Sequence, residues 1–175
     1  MKKIIITGGL GYIGSELCKI YSGYSWNDKV IVIDNRFISE RVNQLRKWNM
    51  EFIHGDILDK ELIKKYCHDA DIVHHLAGIT DVPRVKSEAS VEKEKQIKIV
   101  AEEGTQNILD AINDNCKIIM PSTHVVYEGI NEVRKDILEN EETCPVLAYG
   151  KSKDYNEKQL KNSGKKFVII RLGSC

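Results

Sequence analysis

The chain has 175 residues, of which 26 are basic, 26 acidic and 42% hydrophobic. That length suits one domain burying roughly 70% of its unfolded surface, and the even charge balance excludes an electrostatic case for a nucleic-acid or membrane-surface partner. No apolar run approaches the roughly 20 residues of a membrane span, so no membrane partner is expected.

The elements read in order as alternating strands and helices. Met1-Lys2-Lys3 opens like a signal peptide, but only three isoleucines follow before Thr7-Gly8-Gly9, so Ile4–Thr7 is a strand. Tyr12–Tyr21 follows as a helix, Val30–Asp34 as a strand and Ser39–Trp48 as a helix. Glu51–His54 is a short strand, Asp59–Cys67 a helix and Ile72–His75 a strand. A long helix lies within Ser87–Asn113, with Ile97, Val100, Ala101, Ile108 and Ala111 on its apolar side. Its Lys and Glu residues alternate in sign, as on a solvated face. Lys117–Pro121 and Phe167–Arg171 are strands, with a helix from Ala148 to about Leu160 between them. Polar Glu128–Val146, with Pro145, reads as a loop over the sheet edge. Strands that are apolar throughout are buried on both faces, which means a parallel sheet between helix layers. The predicted fold is α/β, a doubly wound, mostly parallel, Rossmann-like sheet.

The five cysteines, Cys18, Cys67, Cys116, Cys144 and Cys175, are scattered and form no C-x-x-C pair. They read as free thiols of a reducing compartment, hence a cytoplasmic protein. His74 and His75 are adjacent and face opposite sides of a strand, so no metal site is assigned.

The stretch Thr7-Gly8-Gly9-Leu10-Gly11-Tyr12-Ile13-Gly14 follows a strand and opens a helix. Glycines there let backbone amides reach a pyrophosphate without Cβ interference, and the helix N-terminus favours its charge. Gly14 permits close helix–sheet packing. Asp34, with Asn35 beside it, ends the second strand about 20 residues later, where a carboxylate can hold both adenosine ribose hydroxyls. That carboxylate repels a 2′-phosphate, so NAD is favoured over NADP; Arg36 is close enough to weaken this preference.

With these motifs in order, the chain resembles the extended short-chain dehydrogenase/reductases, the NAD-dependent epimerase/dehydratase group acting on nucleotide sugars. Thr-Gly-Gly-x-Gly-Tyr-Ile-Gly-Ser looks especially like the opening of UDP-glucose 4-epimerases. Gly55-Asp56-Ile57 resembles the family's adenine-contacting segment. His75-Leu76-Ala77-Gly78 resembles the segment beneath the nicotinamide side. Gly104–Ala111 resembles the central helix, Ser122-Thr123 the serine/threonine strand end, and Tyr149-Gly150-Lys151-Ser152-Lys153 the catalytic helix. The resemblance implies cofactor contacts at Gly8, Gly11, Tyr12, Ile13, Gly14, Asp34, Asn35, Arg36, Asp56, Ile57, Leu76, Ala77, Gly78, Thr80, Tyr149 and Lys153. It implies nucleotide-sugar contacts at Thr80, Ser122, Thr123, Tyr149 and Ser174, and catalysis by Thr123, Tyr149 and Lys153.

Tyr149 and Lys153 are i and i+4, on one helix face. An ammonium and a nicotinamide cation nearby would favour the phenolate of a group whose free pKa is about 10. That phenolate would take a hydroxyl proton as the sugar carbon gives hydride to NAD⁺. Lys153 also bonds the nicotinamide ribose, as the resemblance implies. Related 4,6-dehydratases carry Thr-Asp-Glu where this chain has Thr123-His124-Val125. Valine exchanges no proton, so oxidation or epimerisation is favoured over water elimination. His124, adjacent to Thr123 in an extended strand, would point the other way.

The chain departs from the pattern at Thr80, where epimerases carry a lysine, at Ala101, where many relatives carry an asparagine, and at Ser174, in place of the asparagine of an Arg-x-x-Asn signature starting at Arg171. Members usually continue for about a hundred residues or more into a smaller substrate domain. Residues 1–175 are therefore expected to be the NAD-binding domain of a longer enzyme, binding NAD but turning over substrate poorly. A homodimer through segments 87–113 and 148–160 is also implied. The alternatives are a nucleotide-sugar dehydrogenase or reductase of the same family and a non-catalytic NAD-binding module.

Overall fold

The structure is a computed structural model that describes residues 1–23, 27–80, 90–130, 134 and 136–173. Six strands form one sheet: β1 (Lys3–Thr7), β2 (Lys29–Asp34), β3 (Glu51–His54), β4 (Ile72–His75), β5 (Lys117–Thr123) and β6 (Lys166–Leu172). Five helices connect them: α1 (Tyr12–Gly23), α2 (Ser39–Lys47), α3 (Lys60–Cys67), α4 (Val91–Ala111) and α5 (Ala148–Asn162). The strand order is β3-β2-β1-β4-β5-β6, and every pairing is parallel. This is the doubly wound fold read from the sequence. β5 runs two residues further than expected, to Thr123, and β6 one residue further at each end.

Period-two side-chain alternation divides the core into two layers. Ile4 and Ile6 of β1 join Val30 and Val32 of β2, and Leu10, Cys18, Val42 and Leu45 close that layer from α1 and α2. Ile5, Ile31 and Ile33 face the other way, onto Ile63 of α3, Ile108 of α4 and Leu160 of α5. Burying one such side chain is worth about 1.5–3 kcal/mol, so the isoleucine run Ile4-Ile5-Ile6, wholly buried, commits β1 to the sheet centre.

The order reverses beside β1: the chain moves outward to β2 and β3, then returns to the other side of β1 with β4. At such a switch point the loops leaving neighbouring strands diverge and leave a crevice at the strands' C-terminal ends. The loop after β5 begins as a 3-10 turn over His124–Tyr127. Glu128 at its end accepts from the Val146 amide at 2.7 Å and from that of Leu147, anchoring the start of α5. The expected loop over Glu128–Val146 is thus a loop where it is described. Along β6, Phe167, Val168, Ile170 and Leu172 are between 38% and 46% exposed, and the strand's outer side has no partner among the described residues. No helix among the described residues is long and apolar enough to cross a membrane.

Candidate active site

The crevice at the switch point is a cleft of about 740 Å³, a size typical of small-molecule sites. Its floor is the turn from β1 into α1. Gly8 has φ +70°, and a Cβ built there would lie 2.7 Å from the Ala77 amide nitrogen. A Cβ on Gly14 would lie 2.5 Å from the Gly8 carbonyl oxygen. Both positions therefore need glycine for conformation or space. Arg41 of α2 donates to the Leu10 carbonyl and pins the turn from outside. The leading amides of α1, those of Tyr12, Ile13 and Gly14, have no carbonyl one turn back and border the cleft. The cradle fits a diphosphate.

At the end of β2 sits the acid. Asp34 is 4% exposed. Its Oδ2 accepts from the Leu10 amide at 2.9 Å and its Oδ1 from the Arg36 amide at 3.0 Å. The Arg36 guanidinium adds bonds of 3.2 Å to Oδ1 and 3.3 Å to Oδ2. Asn35 Nδ2 donates to Asp56 Oδ2 at 2.9 Å, so these two residues join β2 to the segment after β3. Next along, Ile57 is buried against Gly104, where any Cβ would strike its Cδ1 at 2.3 Å. That glycine lets α4 approach and fix this wall.

At the far end, α5 carries Tyr149 and Lys153. Lys153 is 8% exposed, and its Nζ donates to the Pro121 carbonyl at 3.1 Å. It lies beside Gly78, 4.0 Å from the position of an added Cβ, and 6.0 Å from the centre of the Tyr149 ring. Burial pushes the Lys153 ammonium down to about 8, which leaves it mostly protonated at neutral pH. Burial also raises the Tyr149 hydroxyl above its ordinary value. Burial thus opposes the ammonium and the nicotinamide cation that are expected together to favour the phenolate. Thr123 is buried, and its Oγ1 accepts from the Val125 amide at 3.2 Å, which leaves the hydroxyl proton to donate.

Residues 5–171 of the sequence match the 3-beta hydroxysteroid dehydrogenase/isomerase family. The chain belongs to this family. Within it the chain is similar to CDP-paratose 2-epimerase of Salmonella typhi, with 34% identity over 81% of this chain and 43% of that protein. It is 30% identical to UDP-glucose 4-epimerase of Mycoplasma genitalium, over 97% of this chain and 52% of the relative. Among solved structures, UDP-glucose 4-epimerase from Brucella ovis in complex with NAD superposes with a TM-score of 0.77 at 28% identity, covering 98% of this chain and 51% of the other. The Bordetella bronchiseptica enzyme WbmH in complex with NAD⁺ gives 0.81 at 27% identity, covering 99% and 56%. The expected resemblance to nucleotide-sugar epimerases is thereby borne out, and the chain spans about half the length of the relatives it matches.

For this family member, the residues singled out from sequence gather in one place. Gly8, Gly11, Tyr12, Ile13, Gly14, Asp34, Asn35, Arg36, Asp56, Ile57, Leu76, Ala77, Gly78, Thr80, Ser122, Thr123, Tyr149 and Lys153 all border the cleft. Ser174 lies outside the described residues. Ser122 borders the cleft, but its hydroxyl donates to Glu157 Oε1 at 2.6 Å, towards α5. As a nucleotide-sugar contact it is thus engaged elsewhere, because strand alternation sends Ser122 and Thr123 to opposite faces. His124 opens the 3-10 turn, is exposed, and borders the cleft; its Nδ1 is 3.2 Å from the Leu172 carbonyl.

Sequence reasoning missed two buried networks under the family's site. Glu157, 1% exposed, holds Arg171 through bonds of 2.9 and 2.6 Å and accepts from Ser122. Burial works to raise the Glu157 carboxyl, but the bonds from Arg171 and Ser122 outweigh it and hold it below the usual range. The signal was present: Glu157 is i+4 from Lys153 on a helix whose exposed side is already polar. In the second network, His75 joins Thr7 Oγ1 at 3.0 Å to Thr105 Oγ1 at 2.9 Å, and Asn156 bonds Thr105 at 3.0 Å. These contacts tie β1, β4, α4 and α5 together below the cleft.

Proposed function

We propose that this chain is the NAD-binding and hydride-transfer portion of a nucleotide-sugar epimerase. One observation carries the reading: a glycine cradle, a carboxylate at the adenosine end and a Thr123–Tyr149–Lys153 group at the other end border a single cleft. The Gly11–Gly14 amides would hold the diphosphate, and Asp34 would take the adenosine ribose. Bound NAD supplies the hydride acceptor and, on the return step, the hydride donor. Thr123 donates a hydrogen bond from its hydroxyl to the reacting sugar oxygen, keeping its own proton. Tyr149 moves the proton between its Oη and that oxygen. Lys153, held by the Pro121 carbonyl, keeps a positive charge beside Tyr149, which counters the burial that otherwise disfavours the phenolate. Val125 has no titratable group where elimination would need one, which favours hydride exchange over loss of water. Asp34 favours NAD, the sugar nucleotide approaches from the Thr80 and Thr123 side, and α4 with α5 supplies the surface for a homodimer in the cytoplasm.

The chain spans about half the length of the relatives it matches, and it is expected to bind NADH through the cleft described above. The test is absorbance at 340 nm after mixing the chain with NAD and a panel of UDP- and CDP-hexoses, together with NADH titration by fluorescence. Tyr149→Phe should keep NADH affinity within about twofold and lower the rate of reduction about 10²–10⁴-fold. A rate that is indifferent to Tyr149, on protein that binds NADH, instead establishes a non-catalytic dinucleotide-binding module.

A further inference from the structure

Lys153 borders the cleft, but the bonds that hold its helix in place lie one turn further on. Asn156 is i+3 from Lys153, so it shares that helix face, and it is buried. Its Nδ2 donates to the Ala101 carbonyl of α4 at 2.8 Å, to Thr105 Oγ1 at 3.0 Å and to Gln159 Oε1 at 3.0 Å. Gln159 Nε2 donates to the next α4 carbonyl, that of Glu102, at 3.0 Å. From Thr105 the line of bonds continues through His75, which lies 2.9 Å from Thr105 Oγ1 and 3.0 Å from Thr7 Oγ1. Thr7 Oγ1 accepts from the Ala77 amide at 3.3 Å, on the cleft wall. A continuous polar line thus joins α5 to the backbone preceding Gly78, the residue beside Lys153 Nζ.

Satisfying other buried groups does not account for Asn156. Without it Thr105 Oγ1 keeps His75, the Ala101 carbonyl keeps its bond in the α4 ladder, and Gln159 is only part-buried. Apolar packing at this position would be non-directional and would let α5 slide along α4. Hydrogen bonds of fixed length and angle prevent that. We propose that Asn156 is a positioning residue: through Thr105 and His75 it sets the height of Lys153 and Tyr149 against Ala77 and Gly78. A displacement of about 1 Å there costs up to about 10²-fold in reaction rate. That consequence for hydride transfer rests on the function proposed above; the placement of Lys153 does not.

The test reads Lys153 directly, in the chain without cofactor. Its rate of acetylation by acetic anhydride is followed from about pH 6 to 11 by mass spectrometry of the Lys153 peptide. Burial holds Lys153 at about 8, and Tyr149 and His75 beside it stay uncharged at neutral pH. Asn156→Leu, similar in size, should raise the midpoint by about one pH unit or more, towards the free lysine value of about 10.4, because a displaced ammonium regains water. Thr105→Val should act in the same direction, whereas Thr105→Ser, which keeps the hydroxyl, should keep the wild-type midpoint. Urea unfolding of each variant separates position from stability. A wild-type midpoint in folded Asn156→Leu overturns the proposal, and so does a Thr105→Ser midpoint as high as that of Thr105→Val. Should Asn156→Leu fail to fold, the Thr105 variants decide, and an unshifted midpoint in Thr105→Val overturns the proposal. Saturating NADH should also protect wild-type Lys153 from acetylation. Absence of protection overturns the dinucleotide reading and leaves the positioning role standing.

Discussion

Gly14 has no room for a methyl group. Its missing Cβ would meet the Gly8 carbonyl oxygen at 2.5 Å and the Gly9 Cα at 2.6 Å, both backbone atoms of the turn that α1 rests on. Backbone cannot rotate aside as a side chain can. Gly14→Ala should therefore cost about 1–3 kcal/mol of stability and move the leading amides of α1 away from the cradle. We expect NADH affinity to fall more than stability requires, read by urea unfolding alongside fluorescence titration. This requirement was legible in the sequence, because a Gly-x-x-Gly-x-x-Gly spacing between strand and helix has few other uses. The sequence placed Arg36 close enough to Asp34 to weaken its preference for NAD, but not on both carboxylate oxygens.

At the scale of elements, α5 and β6 are held by the Glu157–Arg171 pair, which lies between them and also fixes Ser122 at the end of β5. Removing one partner of a buried pair strands the other charge, at a cost of about 3–5 kcal/mol. Glu157→Ala should destabilise by that order in urea unfolding, and Glu157→Gln by less because it keeps an acceptor for Ser122. Glu157 does not border the cleft, so NADH affinity of the folded Gln variant should stay near that of wild type. Helix and strand boundaries followed closely from periodicity: Ile72–His75 and Glu51–His54 fall where the sequence reading put them. Packing of α5 was the harder problem. Its Asp154, Asn156 and Glu157 look like a solvated face in sequence, yet all three are buried, because partners on α4, β5 and β6 are distant along the chain.

For the whole molecule, acid should be the vulnerable direction. Burial pushes His74 down to about 4. Burial, with the charge of Lys153 adding to it, pushes His75 down to about 3. Unfolded histidine titrates near 6.5, so between that value and the folded ones the unfolded chain binds more protons. Stability is then intact above pH 6.5 and falls on acidification towards pH 4, by about 1.4 kcal/mol per histidine for each pH unit. Urea midpoints measured from pH 7.5 to 4.5 should show this fall, with about two protons taken up on unfolding near pH 5. Saturating NADH should raise the whole curve, since a ligand bound only to the native state stabilises by about 2.7 kcal/mol at a hundredfold excess over Kd. By itself the sequence determined the parallel sheet, the glycine cradle, the acid after β2 and the Tyr149–Lys153 pair, since each depends on neighbours a few residues apart or on a local period. Only the tertiary structure decided that Ser122 bonds Glu157, that the Lys153 ammonium rests on the Pro121 carbonyl, that Tyr149 is raised by burial and that Arg36 covers Asp34. Those outcomes depend on desolvation and on which side chains from separate elements meet, and neither is written in the order of residues along the chain.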